Sequence, residues 1–269
     1  MRNLLLSLLV MLGASASTVN AEDISAYLVG EHMDVKSARK ALKGVGYKIL
    51  ATYDSVKDGQ TIVFTNDTLI AQATKEKRAH AAVLRLFVDN QEKIISITNP
   101  VYFGRAFMQD DYNDNVFNAE LEKISGAFPN LVGSEDKLED DDIAGYHYMM
   151  SRPYYEDNEE LGEGSQSELV AKAKNYQNAK SVIFELKLSD TSTLFGYELG
   201  EETKKFVEKI GRANAAVLPY TISIENGTAT SLHGEYYLAL SYPLLSMGTF
   251  MSISDVPDKI TEDLKKAFK

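Results

Sequence analysis

Arg78-Ala79-His80-Ala81-Ala82-Val83-Leu84 recurs as Arg212-Ala213-Asn214-Ala215-Ala216-Val217-Leu218, six identities in seven at an offset of 134. The flanks of the two stretches agree as well. Thr61-Ile62-Val63-Phe64 precedes the first and Thr193-Leu194-Phe195 the second, with three residues inserted, and Ile49 falls opposite Val182. Downstream, Ala119-Glu120-Leu121-Glu122-Lys123-Ile124 before Phe128 parallels Asp258-Lys259-Ile260-Thr261-Glu262-Asp263-Leu264 before Phe268. Like signals in like order at near-constant spacing predict two copies of one unit.

Working outward, each copy reads as β-α-β-β-α-β-β-α. An opening strand (Ile24 to Gly30; Tyr146 to Tyr154) leads to a helix. Val35, Ala38, Leu42 and Val45 fall at helical spacing after the N-cap candidate Asp34, and Leu169, Val170, Ala173 and Tyr176 after Ser165 or Ser167. Two strands follow, Lys48 to Tyr53 with Thr61 to Thr65, and Ser181 to Leu188 with Thr193 to Leu199. A second helix is clearest from Glu201 to Gly211. Then comes a hairpin, Ala82 to Val88 with Lys93 to Thr98, matched by Ala216 to Ile224 with Ala229 to Leu240 around the turn pair Asn226-Gly227. Val116 to Phe128 and Pro257 to Phe268 close the copies as helices. Short turns between neighbouring strands predict an α+β fold of two similar halves, each a mostly antiparallel sheet with helices on one face. The first unit spans 22–128 and the second 145–269, with an acidic linker over 129–144.

Gly46-Tyr47-Lys48-Ile49, Ile62-Val63-Phe64-Thr65-Asn66 and Asn99-Pro100-Val101-Tyr102-Phe103 of the first copy carry a family resemblance. So do Leu194-Phe195-Gly196-Tyr197, Leu218-Pro219, Glu225-Asn226-Gly227 and Ser241-Tyr242-Pro243-Leu244 of the second. They resemble tandem copies of the domain-of-unknown-function family 302, over roughly 35–102 and 169–244. Arg85 stands where that pattern has Leu-Pro, and Thr65 where it has Gly. The resemblance implies the α+β unit and brings no catalytic residue with it.

Composition sets outer bounds. The chain has 269 residues, 44% hydrophobic and 25% charged, enough apolar material for a large core, and no Cys. Without Cys it forms no disulfide, thiolate metal site or nucleophilic thiol. Met1-Arg2-Asn3, the apolar run Leu4 to Gly13 and the small residues ending in Val19-Asn20-Ala21 read as a signal peptide over 1–21, cleaved before Glu22. The run is too short for a membrane span. The expected location is the periplasm, with no membrane association after cleavage. The net charge is −11, and loss of Arg2 with the leader takes it to −12. Eleven acids against two bases lie between Glu135 and Glu163. That balance repels phosphate backbones, so nucleic acid is not an expected partner.

No P-loop, dinucleotide fingerprint or Gly-x-Ser-x-Gly elbow occurs, and no cofactor is implied. The repeated Arg78 and Arg212, with His80 and Asn214, are candidate ligand-binding residues, since guanidinium pairs bidentately with carboxylate or phosphate. The alternative is an arginine covering helix-end carbonyls. Asp111, Asn113, Asn115 and Glu122 occupy positions one, three, five and twelve of a calcium-type loop, but Val116 stands where Gly is needed. Helix capping is the other reading there. His32, His80, His147 and His233 lack paired metal-ligand spacing. Met149-Met150 and Met247/Met251 suit core filling better than copper. Tyr146, Tyr148, Tyr154, Tyr155, Tyr236, Tyr237 and Tyr242 either pack the core or line a site for a sugar or peptide. The leading expectation is a non-enzymatic module of two fused copies that binds a small molecule or a protein at their junction. The alternatives are a hydrolase-type enzyme using Arg78, His80 and Arg212 in that cleft, or a calcium-stabilised scaffold.

Overall fold

A computed structural model describes residues 22–147 and 153–269. The leader expected over 1–21 lies outside the described residues, as do Tyr148, Met149 and Met150 and the side chain of Asn214. The first half runs β1 (Asp23–Ser25), β2 (Tyr27–Glu31), α1 (Val35–Gly44), β3 (Lys48–Val56), β4 (Gly59–Thr65) and α2 (Asp67–Ala73). A 3-10 turn, Ala79–Ala82, leads to β5 (Leu84–Asp89), β6 (Ile94–Thr98), α3 (Pro100–Met108) and α4 (Asp114–Ala127). The short β7 (Val132–Gly133), β8 (Lys137–Glu139) and α5 (Asp140–Ile143) follow. The second half runs β9 (Glu159–Glu163), α6 (Gln166–Asn175), β10 (Val182–Lys187), β11 (Ser192–Tyr197), α7 (Glu201–Lys204) and α8 (Phe206–Ile210). A 3-10 turn, Arg212–Val217, then opens onto β12 (Tyr220–Glu225), β13 (Thr228–Ser231), α9 (Gly234–Ser241), α10 (Met247–Met251) and α11 (Val256–Lys265).

The fold is α+β. One sheet has the order β3-β4-β5-β6-β2-β7 and the other β10-β11-β12-β13-β9, with every pairing antiparallel. In each, the opening strand returns to pair beside the fifth. Helices cover one face: α1 packs on β3 and β4, and α6 on β11 to β13. The opposite faces meet at the junction, where the 3-10 turn 212–217 lies against β5 and β6 and the turn 79–82 against β11 and β12. Central strands are therefore buried on both sides. Every residue of β5 and of β11 is buried, and the alternation of a half-exposed strand is lost.

Local chemistry fixes the ends of the elements. Asp34 accepts from Ser37 N at 3.0 Å to start α1, and Ser165 Oγ accepts from Glu168 N at 3.3 Å to start α6. Asn226 and Gly227 have φ of 51° and 85°, the doubly left-handed pair of a tight hairpin turn, and a Cβ on Gly227 would sit 2.7 Å from the Gly164 carbonyl.

Four expectations need correction. The opening strand of the second half is Glu159–Glu163, because Tyr146, His147, Pro153 and Tyr154 form no strand. The stretch Ala229 to Leu240 is not one strand: β13 stops at Ser231, His233 Nδ1 accepts from Glu235 N at 3.1 Å, and α9 begins. α9 is buried all round, so its apolar run carries no helical periodicity. The helix expected from Glu201 to Gly211 breaks into α7 and α8 at Lys205. The acidic stretch 129–144 is laced onto the first strands, β7 against β2 and β8 against β1, rather than left as a free loop. Asp140 opens α5 and forms an ion pair with Arg105.

Among the described residues no helix is long and apolar enough to cross a membrane.

Candidate junction site

The junction is knit by contacts that repeat at the sequence offset of 134. Tyr102 on α3 donates to the Leu240 carbonyl at 2.8 Å, and Tyr236 on α9 to the Ala106 carbonyl at 3.4 Å. Arg85 donates through Nη2 to the carbonyl of Pro219, its own counterpart, at 3.1 Å. The middle of the junction therefore falls between β5 and the entry to β12.

Both repeated arginines already hold carboxylates. Arg212 grips Asp89 at the end of β5 bidentately, Nε to Oδ2 and Nη2 to Oδ1 at 2.9 Å each, and also donates to the Lys57 carbonyl at 2.8 Å. Burial opposes ionisation of Asp89, but hydrogen bonds from Arg212 and the amides of Glu92 and Gln91 outweigh it and hold the pKa below the usual range. Arg78 donates to Asp111 at 3.0 Å and lies over the Tyr155 ring. Arg212 is thus committed through Nε and Nη2 to Asp89 and the Lys57 carbonyl, and Arg78 through Nε to Asp111.

The calcium-type loop is likewise taken up by other work. Asp111 binds Arg78 and Lys75. Asn113 caps α4, accepting from Asn115 N at 3.1 Å and from Val116 N at 3.4 Å. Glu122 sits seven residues beyond Asn115, about 10 Å along the helix. Among the described residues no three His, Asp or Glu side chains converge to hold a metal ion.

His80, with its heptad neighbour Ala79, lines a cavity. It is 4% exposed, and its Nδ1 lies 2.9 Å from Thr221 Oγ1 of β12. Burial, with Arg85 adding a smaller push, drops its pKa to about 3, so it stays neutral. Among the described residues Nε2 finds no hydrogen-bond partner. The cavity, about 320 Å³, takes Glu76, Lys77, Ala79 and His80 from the first half. The second half contributes Glu156, Asn158 and Glu160 near β9, and Ser223, Glu225, Thr228 and Thr230 from β12 and β13. Asn158 Oδ1 also lacks a partner. Glu225 accepts from Lys77 N at 2.9 Å, yet burial and the neighbouring Glu76 raise its pKa.

No family model, curated protein or solved structure matches this chain.

The sequence pointed to one wall of this site, since Lys77 and His80 adjoin or belong to the repeated heptad. The other wall is 80 to 150 residues away along the chain. Its one local signal was Glu225 beside the Asn226-Gly227 turn, which fixes where β12 ends. Tyr236 and Tyr237 prove to be core residues, each 1% exposed.

Proposed function

We propose that this chain is an exported, non-enzymatic binding module of two fused copies, with its ligand site in the cavity at their junction. The observation that carries the reading is a cavity built from both halves, with two unpartnered polar atoms, His80 Nε2 and Asn158 Oδ1, belonging to its walls. Buried polar atoms are normally hydrogen-bonded, so such a pair favours a site completed by a ligand. The shared strand order and the reciprocal tyrosine bonds support descent from one duplicated unit, as does the repeated heptad.

Catalysis is the weaker reading. A general base works best with a pKa near the working pH, and an imidazole held at about 3 is too weakly basic. Its bonded neighbour is the buried hydroxyl of Thr221 rather than a carboxylate. Export rests on the Met1–Ala21 pattern.

The absence of Cys makes a clean test available. Thr228→Cys on the cavity wall accepts a single environment-sensitive fluorophore, and the mature protein is then screened against small metabolites. A saturable signal that also raises the melting temperature of unlabelled protein supports the reading through ligand linkage. A complete panel with no saturable signal overturns it. N-terminal sequencing of the periplasmic fraction is expected to begin at Glu22.

A further inference from the structure

We infer that the junction cavity takes a small linear polyamine, recognised through separated ammonium groups by Glu76, Glu156, Glu160 and Glu225. The inference rests on the binding-module reading above and names its ligand class.

Charge is the first argument. Four carboxylates line the cavity against one cation, Lys77. The mature chain is itself strongly acidic, so the long-range field also draws cations inward.

Placement of the charges is the second. Glu76 precedes the 3-10 turn of the first half, Glu156 and Glu160 flank the start of β9, and Glu225 ends β12. Among the described residues no three such groups gather round one point, which a single metal ion requires. Carboxylates spread round one cavity suit a ligand whose positive charges are spread along a chain.

The unpartnered atoms supply an independent argument. Asn158 Oδ1 is an acceptor. His80 meets the Thr221 hydroxyl through Nδ1, and the tautomer with its proton there leaves Nε2 free to accept from an ammonium group. Carboxylates and an amide oxygen make walls rich in acceptors. An ammonium group is all donors and matches them, whereas a phosphate or carboxylate ligand would add acceptors to acceptors. The volume, about 320 Å³, lies at the small end for ligand pockets, which fits a slender molecule rather than a nucleotide.

The test is calorimetry on the mature protein with spermidine, butylamine and magnesium chloride, beside the Thr228→Cys fluorescent reporter. Spermidine is expected to bind at least tenfold more tightly than butylamine or magnesium and to move the reporter. Its affinity is expected to fall at least tenfold in Glu156→Gln/Glu160→Gln and severalfold in Glu225→Gln. The first variant changes only exposed side chains, so it keeps its fold and its melting temperature. Equal affinity for butylamine or magnesium, or variants that bind spermidine unchanged, overturns the inference. If a neutral or anionic compound moves the reporter and spermidine does not, the ligand class is wrong and the junction site stands. If a lysine-rich peptide moves it and spermidine does not, the partner is a protein and the small-molecule class is wrong. If nothing moves it, the site falls with the class.

Discussion

Asp89 is fully buried, and among the described residues the guanidinium of Arg212 is the only side chain bonded to it. Removing that partner strands a charge in the core, a loss that typically costs about 3–5 kcal/mol. Arg212→Ala is therefore expected to lower urea-unfolding stability by that order. Arg78→Ala breaks a pair with the partly exposed Asp111 and is expected to cost less, about 1 kcal/mol, near the upper end for solvent-screened pairs. Equal losses in the two variants would contradict the assignment. His80 supplies a pH test. Its folded pKa of about 3 lies below the unfolded value of 6.5, so the unfolded chain binds the extra proton between them. Its contribution is fully present above pH 6.5 and is lost as pH falls toward 3, at up to about 1.4 kcal/mol per pH unit. His80→Asn is expected to flatten stability against pH between 5 and 6.5, measured by urea titration at each pH. An unchanged slope would show that His80 titrates normally.

At the scale of elements, one close approach of backbone to backbone is between two helix starts. A Cβ on Gly234, the first residue of α9, would lie 2.6 Å from the Pro257 Cα at the start of α11. Backbone cannot yield as a flexible side chain does, so Gly234→Ala is expected to destabilise by about 1–3 kcal/mol, the cost of overpacking a filled core. A thermal melt that does not move would mean the helices part readily. The same elements show what sequence could disclose. α1, α6, α4 and α11 have caps or amphipathic spacing, because each exposes one side to water. α3 and α9 are buried almost throughout, Pro100 to Met108 and Gly234 to Ser241, and an apolar run without a wet side does not distinguish strand from helix. β9 was hidden differently: Glu159, Glu160 and Glu163 give it the composition of a solvated loop, although it pairs with β13. Strand pairing needs only its backbone.

Across the whole molecule, the repeated heptad located the junction but not its chemistry. Its arginines pair with Asp89 and Asp111, and its histidine lines an acidic cavity. The opposite wall comes from residues with no motif of their own, brought near by the packing of one sheet against the turn of the other. Acidity, which at the level of composition only excluded nucleic acid, becomes specific once four of those glutamates share a cavity. The most direct measurement is an amide chemical-shift titration of isotope-labelled protein, residues 22–269, with spermidine. Saturable shifts are expected to concentrate at Lys77, Ala79, His80, Glu156 to Glu160 and Ser223 to Thr230. Shifts centred on the separate cleft beside Tyr176 and Asp263, or no saturable shifts at all, would contradict that expectation.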